Sequence, residues 1–106
     1  MIPPANHYRG EAELAFAGQV HRLRPSFTAL VAAEEELGPL FALVERAGAG
    51  QLKLGEMAGL FWHCLTGSSV TRVELGEGVA ELGLARCAKP LRRLLEQILQ
   101  GSVPAE

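Results

Sequence analysis

Residues 11–24 have the pattern of a β-hairpin, because apolar and polar side chains alternate on both sides of Ala17-Gly18. A two-residue loop there predicts a register that places opposite charges across from each other: Glu13 with Arg22, and Glu11 with Arg24. The other face of the hairpin is then apolar and carries Ala12, Leu14, Phe16 and Leu23. A shift by one residue would turn this apolar face to solvent. A longer loop stays open, since Ala-Gly is a weaker turn pair than Asn-Gly.

The rest of the chain predicts helices that cover this apolar face, because a lone hairpin is only marginally stable in water. Ser26 suits the N-cap of the first helix and Gly38 its end. The predicted helices span residues 27–37, 39–47, 55–66 and 71–82. We favour a last helix that starts near Lys89 or Pro90, while a bend at Pro90 would let it extend back to Ala85. The predicted fold class is α+β, with an N-terminal two-stranded antiparallel β-hairpin packed on a bundle of four to five short α-helices.

Four of the five predicted helices, all except 71–82, have apolar side chains at helical spacing that are expected to face the core. They are Phe27, Leu30, Val31 and Leu37; Leu40, Leu43, Val44 and Ala47; Met57, Leu60, Phe61, Cys64 and Leu65; and Leu91, Leu94, Leu95, Ile98 and Leu99. The third helix is the most hydrophobic segment and is expected to lie at the centre of the core.

The length of 106 residues corresponds to one domain, which we place at residues 10–101, between a flexible lead at 1–9 and a flexible tail at 102–106. Ten basic residues against twelve acidic ones argue against binding to nucleic acid. The sequence has no apolar run of about 18 residues and no signal-peptide pattern at its start. We therefore expect a cytoplasmic protein that does not bind membranes.

No residue pattern indicates catalysis, a metal or a cofactor. His63 and Cys64 are adjacent, so on a helix they point about 100° apart and cannot chelate one ion together. A cysteine nucleophile would also need a base and an oxyanion donor, which the sequence does not supply. Cys64 and Cys87 are expected to be reduced thiols buried in the core. The chain is therefore expected not to be an enzyme.

Two residues on the predicted helices have more than one interpretation. Glu34, with Glu35 and Glu36, is interpreted first as part of a solvated helix face. It also falls between Leu30 and Leu37, where partial shielding would favour a basic partner from the hairpin. Negative charge near a helix C-terminus is also slightly unfavourable, which favours a partner or a binding role. Trp62 either packs against the core from its flank or is an exposed anchor for a partner.

The first third of the chain contains a series of short motifs: Arg9-Gly-Glu11, Phe16-Ala-Gly18, Leu23-Arg24, Phe27-x-x-Leu30 and Glu34-Glu-Glu-Leu-Gly38. Through these motifs, residues 10–38 resemble the small phage tail assembly chaperones of gene transfer agents. The resemblance continues through Leu40-x-x-Leu43-x-Glu45-Arg46, Cys64-Leu-Thr-Gly67, Val79-Ala-Glu-Leu-Gly-Leu84 and the Leu94-Leu95 helix. It extends from about residue 7 to residue 101. The chain departs from the family at the turn, where Asp-Gly is more usual, and at Pro90.

The resemblance implies a non-enzymatic chaperone, encoded between the tail tube and tape measure proteins. Such a protein keeps the long, helical tape measure protein soluble while the tail tube polymerises around it. The implied partners are the tape measure protein and, as a second candidate, the tail tube protein. The candidate contact residues are Glu34, Trp62 and four residues of the glycine-containing segment 70–84: Val70, Val73, Leu75 and Val79. The alternative is a small bacterial protein-interaction or regulatory module without catalytic activity.

Overall fold

The chain, described by a computed structural model over residues 11–67 and 69–101, forms one small sheet and five helices. In order, these are β1 (Ala12–Phe16), β2 (Gln19–Leu23), α1 (Phe27–Leu37), α2 (Leu40–Gly48), α3 (Leu54–Cys64), β3 (Leu65–Thr66), α4 (Arg72–Leu82) and α5 (Leu84–Gln100). The predicted α+β class is confirmed. The predicted flexible segments 1–9 and 102–106 lie outside the described residues.

The hairpin has the predicted register, with Glu13 opposite Arg22 and Phe16 opposite Gln19. Ala17 and Gly18 both have positive φ, at 53° and 74°, which is the backbone of a two-residue turn that twists in the same sense as the strands. Just before β1, Glu11 Oε2 lies 3.9 Å from Arg24 Nε. The apolar face is buried as expected: Ala12, Leu14, Phe16 and Leu23.

One polar residue joins this buried face. His21 lies opposite Leu14, and only 2% of it is exposed. Its ring stacks on Phe16, with the ring centroids 4.1 Å apart and the planes at 18°. The hairpin therefore contributes an aromatic pair to the core as well as aliphatic side chains.

A third strand was not predicted. The helix expected over 55–66 ends at Cys64, and Leu65 and Thr66 pair with β2 as an antiparallel edge strand. The Arg24 backbone N–H donates to the Cys64 carbonyl over 2.7 Å, which extends the contact. Two residues are too few to show the alternation that predicts a strand, so only the position of β2 determines this pairing.

Helix α1 begins after the predicted cap, since the Ala29 backbone N–H donates to Ser26 Oγ over 3.2 Å. The prediction of its buried face was wrong for two residues: Phe27 is 84% exposed and Val31 is 40% exposed. The fully buried residue is Ala33, with Leu30 and Leu37 partly buried beside it. At 100° per residue, Val31 lies about 160° and Phe27 about 120° around the helix from Ala33. A small side chain at the contact with α3 therefore turns the two larger ones outward.

Helices α2 and α3 confirm their predicted faces. Leu43 is the buried residue of α2, and Leu40, Val44 and Ala47 are partly buried. Helix α3 contributes the largest set of core side chains of any described element: Met57, Leu60, Phe61 and Cys64. It packs against α1 on one side and α4 on another, which confirms its predicted central place.

Helix α4 begins at the Thr71 cap and ends at Gly83, close to the predicted limits. The favoured start of the last helix near Pro90 was wrong, because α5 runs without interruption from Leu84 to Gln100. Proline inside a helix costs about 3 kcal/mol. The apolar face of α5 spans the proline, with Cys87 before it and Leu94 after it fully buried, and burial on both sides offsets that cost. Leu99 was expected to face inward but is 56% exposed.

Candidate functional site

The two thiols are poor candidates for chemistry. Cys64 and Cys87 are buried, as predicted. Burial raises the pKa of Cys64 to about 12 and also raises the pKa of Cys87. Reactive cysteines need a lowered pKa and access to solvent, so these thiols act as small core side chains. Within residues 11–67 and 69–101, His, Cys, Asp and Glu side chains form no group of three or more that could hold a metal ion.

The residues predicted to contact a partner do not lie on one surface. Val73 is 70% exposed, and Val70 and Trp62 are half-buried. Trp62 packs against the core, which favours the flank-packing interpretation of this residue. Leu75 and Val79 are fully buried. They face the core because α4 packs on both α3 and β1, so neither is accessible to a partner while α4 is in place.

Glu34 is exposed, and its expected basic partner from the hairpin is not what its carboxylate binds. Its Oε2 atom accepts a hydrogen bond of 3.1 Å from the Leu40 backbone N–H. The first N–H groups of a helix lack partners within the helix and carry a partial positive charge. The carboxylate therefore caps α2 from outside, which accounts for an acidic residue near the C-terminus of α1.

Glu34 also lines an apolar groove between α2 and α5, which we call the α2–α5 groove. Its volume is about 210 Å³, and its other lining residues are Leu40, Phe41, Val44, Ile98 and Leu99. Phe41 is 81% exposed and Leu99 is 56% exposed. Pockets for small molecules usually measure about 300–1,000 Å³, so the groove is better suited to the side chains of another protein.

The groove depends on two helix faces: that of α2, which was predicted, and the end of α5, where Leu99 was expected to face inward. Helix α2 presents Phe41 because Leu40 and Leu43 take the buried side of the helix. Helix α5 ends at Gln100, which places Ile98 and Leu99 in its last turn. Two sequence signals for apolar side chains at this surface were available. They are the Ile98-Leu99 pair at the end of a strongly amphipathic helix and Phe41 beside the buried stripe of α2.

A second group of polar side chains, which we call the Glu36 cluster, connects three helices through Glu36 of α1. Arg72 of α4 donates to both carboxylate oxygens, with 2.8 Å between Nη1 and Oε1. His63 Nε2 of α3 lies 2.7 Å from the same Oε1. Gly59 lies beneath the Arg72 side chain, since a Cβ there would be 3.0 Å from Arg72 Nη2. No local pattern predicts this cluster, because Arg72 is 36 residues from Glu36.

The Glu36 cluster predicts a pH-dependent part of stability. The hydrogen bonds from Arg72 and then from His63 lower the pKa of Glu36 from 4.5 to about 2. Because the pKa of Glu36 is lower in the folded chain than in the unfolded chain, its ionised carboxylate stabilises the fold. This stabilisation is complete above pH 4.5 and is lost as the pH falls toward 2. The Glu36 side chain is 37% exposed, so solvent screening limits the contribution to about 1 kcal/mol.

We therefore expect Glu36→Gln to lower the free energy of unfolding by about 1 kcal/mol at pH 7 and by almost nothing at pH 2. Urea unfolding at several pH values measures both. Glu35→Gln is the matched control, since Glu35 is the exposed neighbour on the same helix. A constant difference between Glu36→Gln and the wild type from pH 7 to pH 2 would contradict the assignment.

No helix in the described part of the chain is long and apolar enough to cross a membrane.

A protein-family comparison gives the context for these surfaces. The model of the family described as "Phage tail tube protein, GTA-gp10" matches residues 9–101. The chain belongs to this family. This match confirms that the chain is a tail protein of the phage and gene-transfer-agent type, which is one part of the predicted resemblance. The family's description names the tail tube and mentions neither a chaperone nor a tape measure protein.

Two further comparisons found no counterpart. No curated protein matches the chain, and no solved structure matches it.

Proposed function

We propose that this tail-family protein is a non-enzymatic assembly chaperone that binds the tape measure protein in the bacterial cytoplasm while the tail tube forms. Family membership over residues 9–101 supports a role in tail assembly. The mainly helical fold supports binding to a helical partner, because helices recognise each other through apolar grooves and stripes.

The α2–α5 groove is the observation that carries the proposal. Isolated apolar side chains on a surface are normal, but Phe41 and Leu99 are exposed together beside Leu40, Val44 and Ile98. Contiguous apolar surface of this kind marks a site of interaction with another protein. A chaperone for a long helical chain needs such a surface to cover its partner's apolar stripe.

A structural subunit of the tail tube is the second candidate, favoured by the family's description. A tube subunit must contact copies of itself through repeating interfaces, which generate rings or filaments. A chaperone instead forms a complex of defined size with its client. The assembly behaviour of the purified protein therefore separates the two candidates.

Co-expression with a tape measure protein of a gene-transfer-agent tail tests the proposal. We expect the two proteins to co-purify and the tape measure protein to be soluble only when the chain is present. The tail tube protein, tested in the same way, is the comparison partner. Failure to retain the tape measure protein at high concentration would overturn the chaperone function. Rings or filaments of the chain alone in electron micrographs would favour the tube subunit.

A further inference from the structure

We propose that the α2–α5 groove binds a basic amphipathic helix, with the partner's apolar side chains on Phe41 and Leu99 and its lysines or arginines beside the carboxylates at the rim. Because the tape measure protein is the proposed partner, we expect the helix to be one of its segments, and this part rests on the proposed function.

The apolar floor of the groove determines what enters it. Leu40, Val44 and Ile98 are partly buried, while Phe41 and Leu99 stand out to 81% and 56% exposure. At about 210 Å³, the groove has room for a few aliphatic side chains and none for a folded domain. Side chains three and four residues apart on a helix project together from one face. An amphipathic helix laid along the groove therefore fits it better than a loop or a small molecule.

The charges around the groove determine the sign of the partner. Glu34 lines the groove itself. Glu45 follows Phe41 by four residues and Glu96 precedes Leu99 by three, so helical geometry places both exposed carboxylates beside the two apolar anchors. Glu34 Oε2 already accepts from the Leu40 backbone N–H, so the groove has one capping carboxylate in its lining and two further carboxylates near its edge.

The end of α5 adds to this negative potential. The last turn of a helix carries a partial negative charge, and α5 has no basic residue in its last turn. Arg92 is an exposed cation on the same side of α5, four residues before Glu96, and it offsets part of the charge of that carboxylate. It lies about 10 Å along the axis from Leu99, so it leaves the end of the groove without a cation of α5. Lysine or arginine side chains next to the partner's apolar stripe would face carboxylates at close range.

Two synthetic peptides of about 18 residues, each about 27 Å long as a helix, test the groove with the full-length protein. Both carry leucines at positions i, i+3, i+4 and i+7, flanked by lysines in one peptide and by glutamates in the other. Fluorescence anisotropy should show the lysine peptide binding at least about tenfold more tightly. The preference should shrink when NaCl is raised from about 50 to about 300 mM. Equal binding of both peptides, or tighter binding of the glutamate peptide, would overturn the proposal.

The chain offers a matched pair of variants for locating the site. Phe41 in the groove and Phe27 at the start of α1 are 81% and 84% exposed, so serine at either position should leave the fold intact. We expect Phe41→Ser to weaken binding of the lysine peptide at least about tenfold and Phe27→Ser to leave it unchanged. The double variant Glu45→Lys/Glu96→Lys should reverse the peptide preference. Equal loss in the two serine variants would show that the groove is not the site.

The same variants separate this inference from the proposed function. If the tape measure protein co-purifies equally with wild type and Phe41→Ser, the groove is not its binding site, and the chaperone function stands. If the lysine peptide binds but the tape measure protein does not, the groove stands and the chaperone function fails. Self-association of the wild-type protein in analytical ultracentrifugation, abolished by Phe41→Ser, would assign the groove to a second copy and overturn the proposal.

Discussion

Replacing Gly78 with alanine is expected to lower the free energy of unfolding by about 2 kcal/mol. A Cβ atom at this position would lie 2.5 Å from Cδ1 and 2.6 Å from Cγ of Phe16. The Phe16 ring is 8% exposed and already stacks on His21, so it has little room to move away. The missing side chain at Gly78 is what lets the hairpin pack closely on α4.

Gly76 provides the matched control, two residues earlier on the same helix. A Cβ there meets no atom within 4 Å. Alanine is a better helix former than glycine by about 0.8–1.0 kcal/mol, so Gly76→Ala should raise the free energy of unfolding by up to that amount. Urea unfolding followed by circular dichroism measures both variants. If the two substitutions shift stability in the same direction, Phe16 does not pack against α4 at Gly78.

A double-mutant cycle assigns the cost to the Phe16 ring. In a Phe16→Leu background the side chain is smaller and flexible, so Gly78→Ala should cost about 1 kcal/mol less than it does in the wild type. Gly76→Ala should have the same effect in both backgrounds, because it has no contact with residue 16. An unchanged penalty at Gly78 would place the strain elsewhere in α4.

Local signals were sufficient for the hairpin and for most helix ends. Complementary charges opposite each other fixed the hairpin register, and the Ser26 cap and the terminating residues Gly38 and Gly83 act within a few residues of their own positions. These features depend on neighbouring backbone and side chains, so they can be read before the fold is known. The α+β class followed from them.

The features that were predicted wrongly or not predicted at all depend on distant parts of the chain. Strand β3 exists because β2 offers it a free edge, and α1 turns Phe27 outward because Ala33 packs on α3. Helix α5 passes through Pro90 because burial on both sides of it outweighs the lost hydrogen bond. The α2–α5 groove joins residues more than 50 positions apart in the sequence, Phe41 and Leu99. A local pattern can indicate an exposed apolar residue, but it cannot show that two distant ones meet.

The candidate contact residues on α4 also depended on packing that the local sequence does not show. The sequence placed candidate contacts for a partner in the glycine-containing segment 70–84, where Gly76 and Gly78 lower the helix propensity. The structure instead places Leu75 and Val79 in the core and leaves Val73 at the surface. The glycines reflect close packing at Gly78, and an open surface position at Gly76, rather than a segment free to rearrange.

Leu75→Ala is therefore expected to lower the free energy of unfolding by about 2–5 kcal/mol, as for other fully buried leucines. Val73→Ala, two residues away and 70% exposed, should change it by no more than about 0.5 kcal/mol. Thermal and urea unfolding of both variants measures the difference.

Binding of the lysine peptide gives an independent readout, because Val73 does not line the α2–α5 groove. Val73→Ala should bind the peptide as the wild type does. A Leu75→Ala protein as stable as the wild type would mean that α4 is not docked on the core in solution, and Leu75 would then be accessible to a partner.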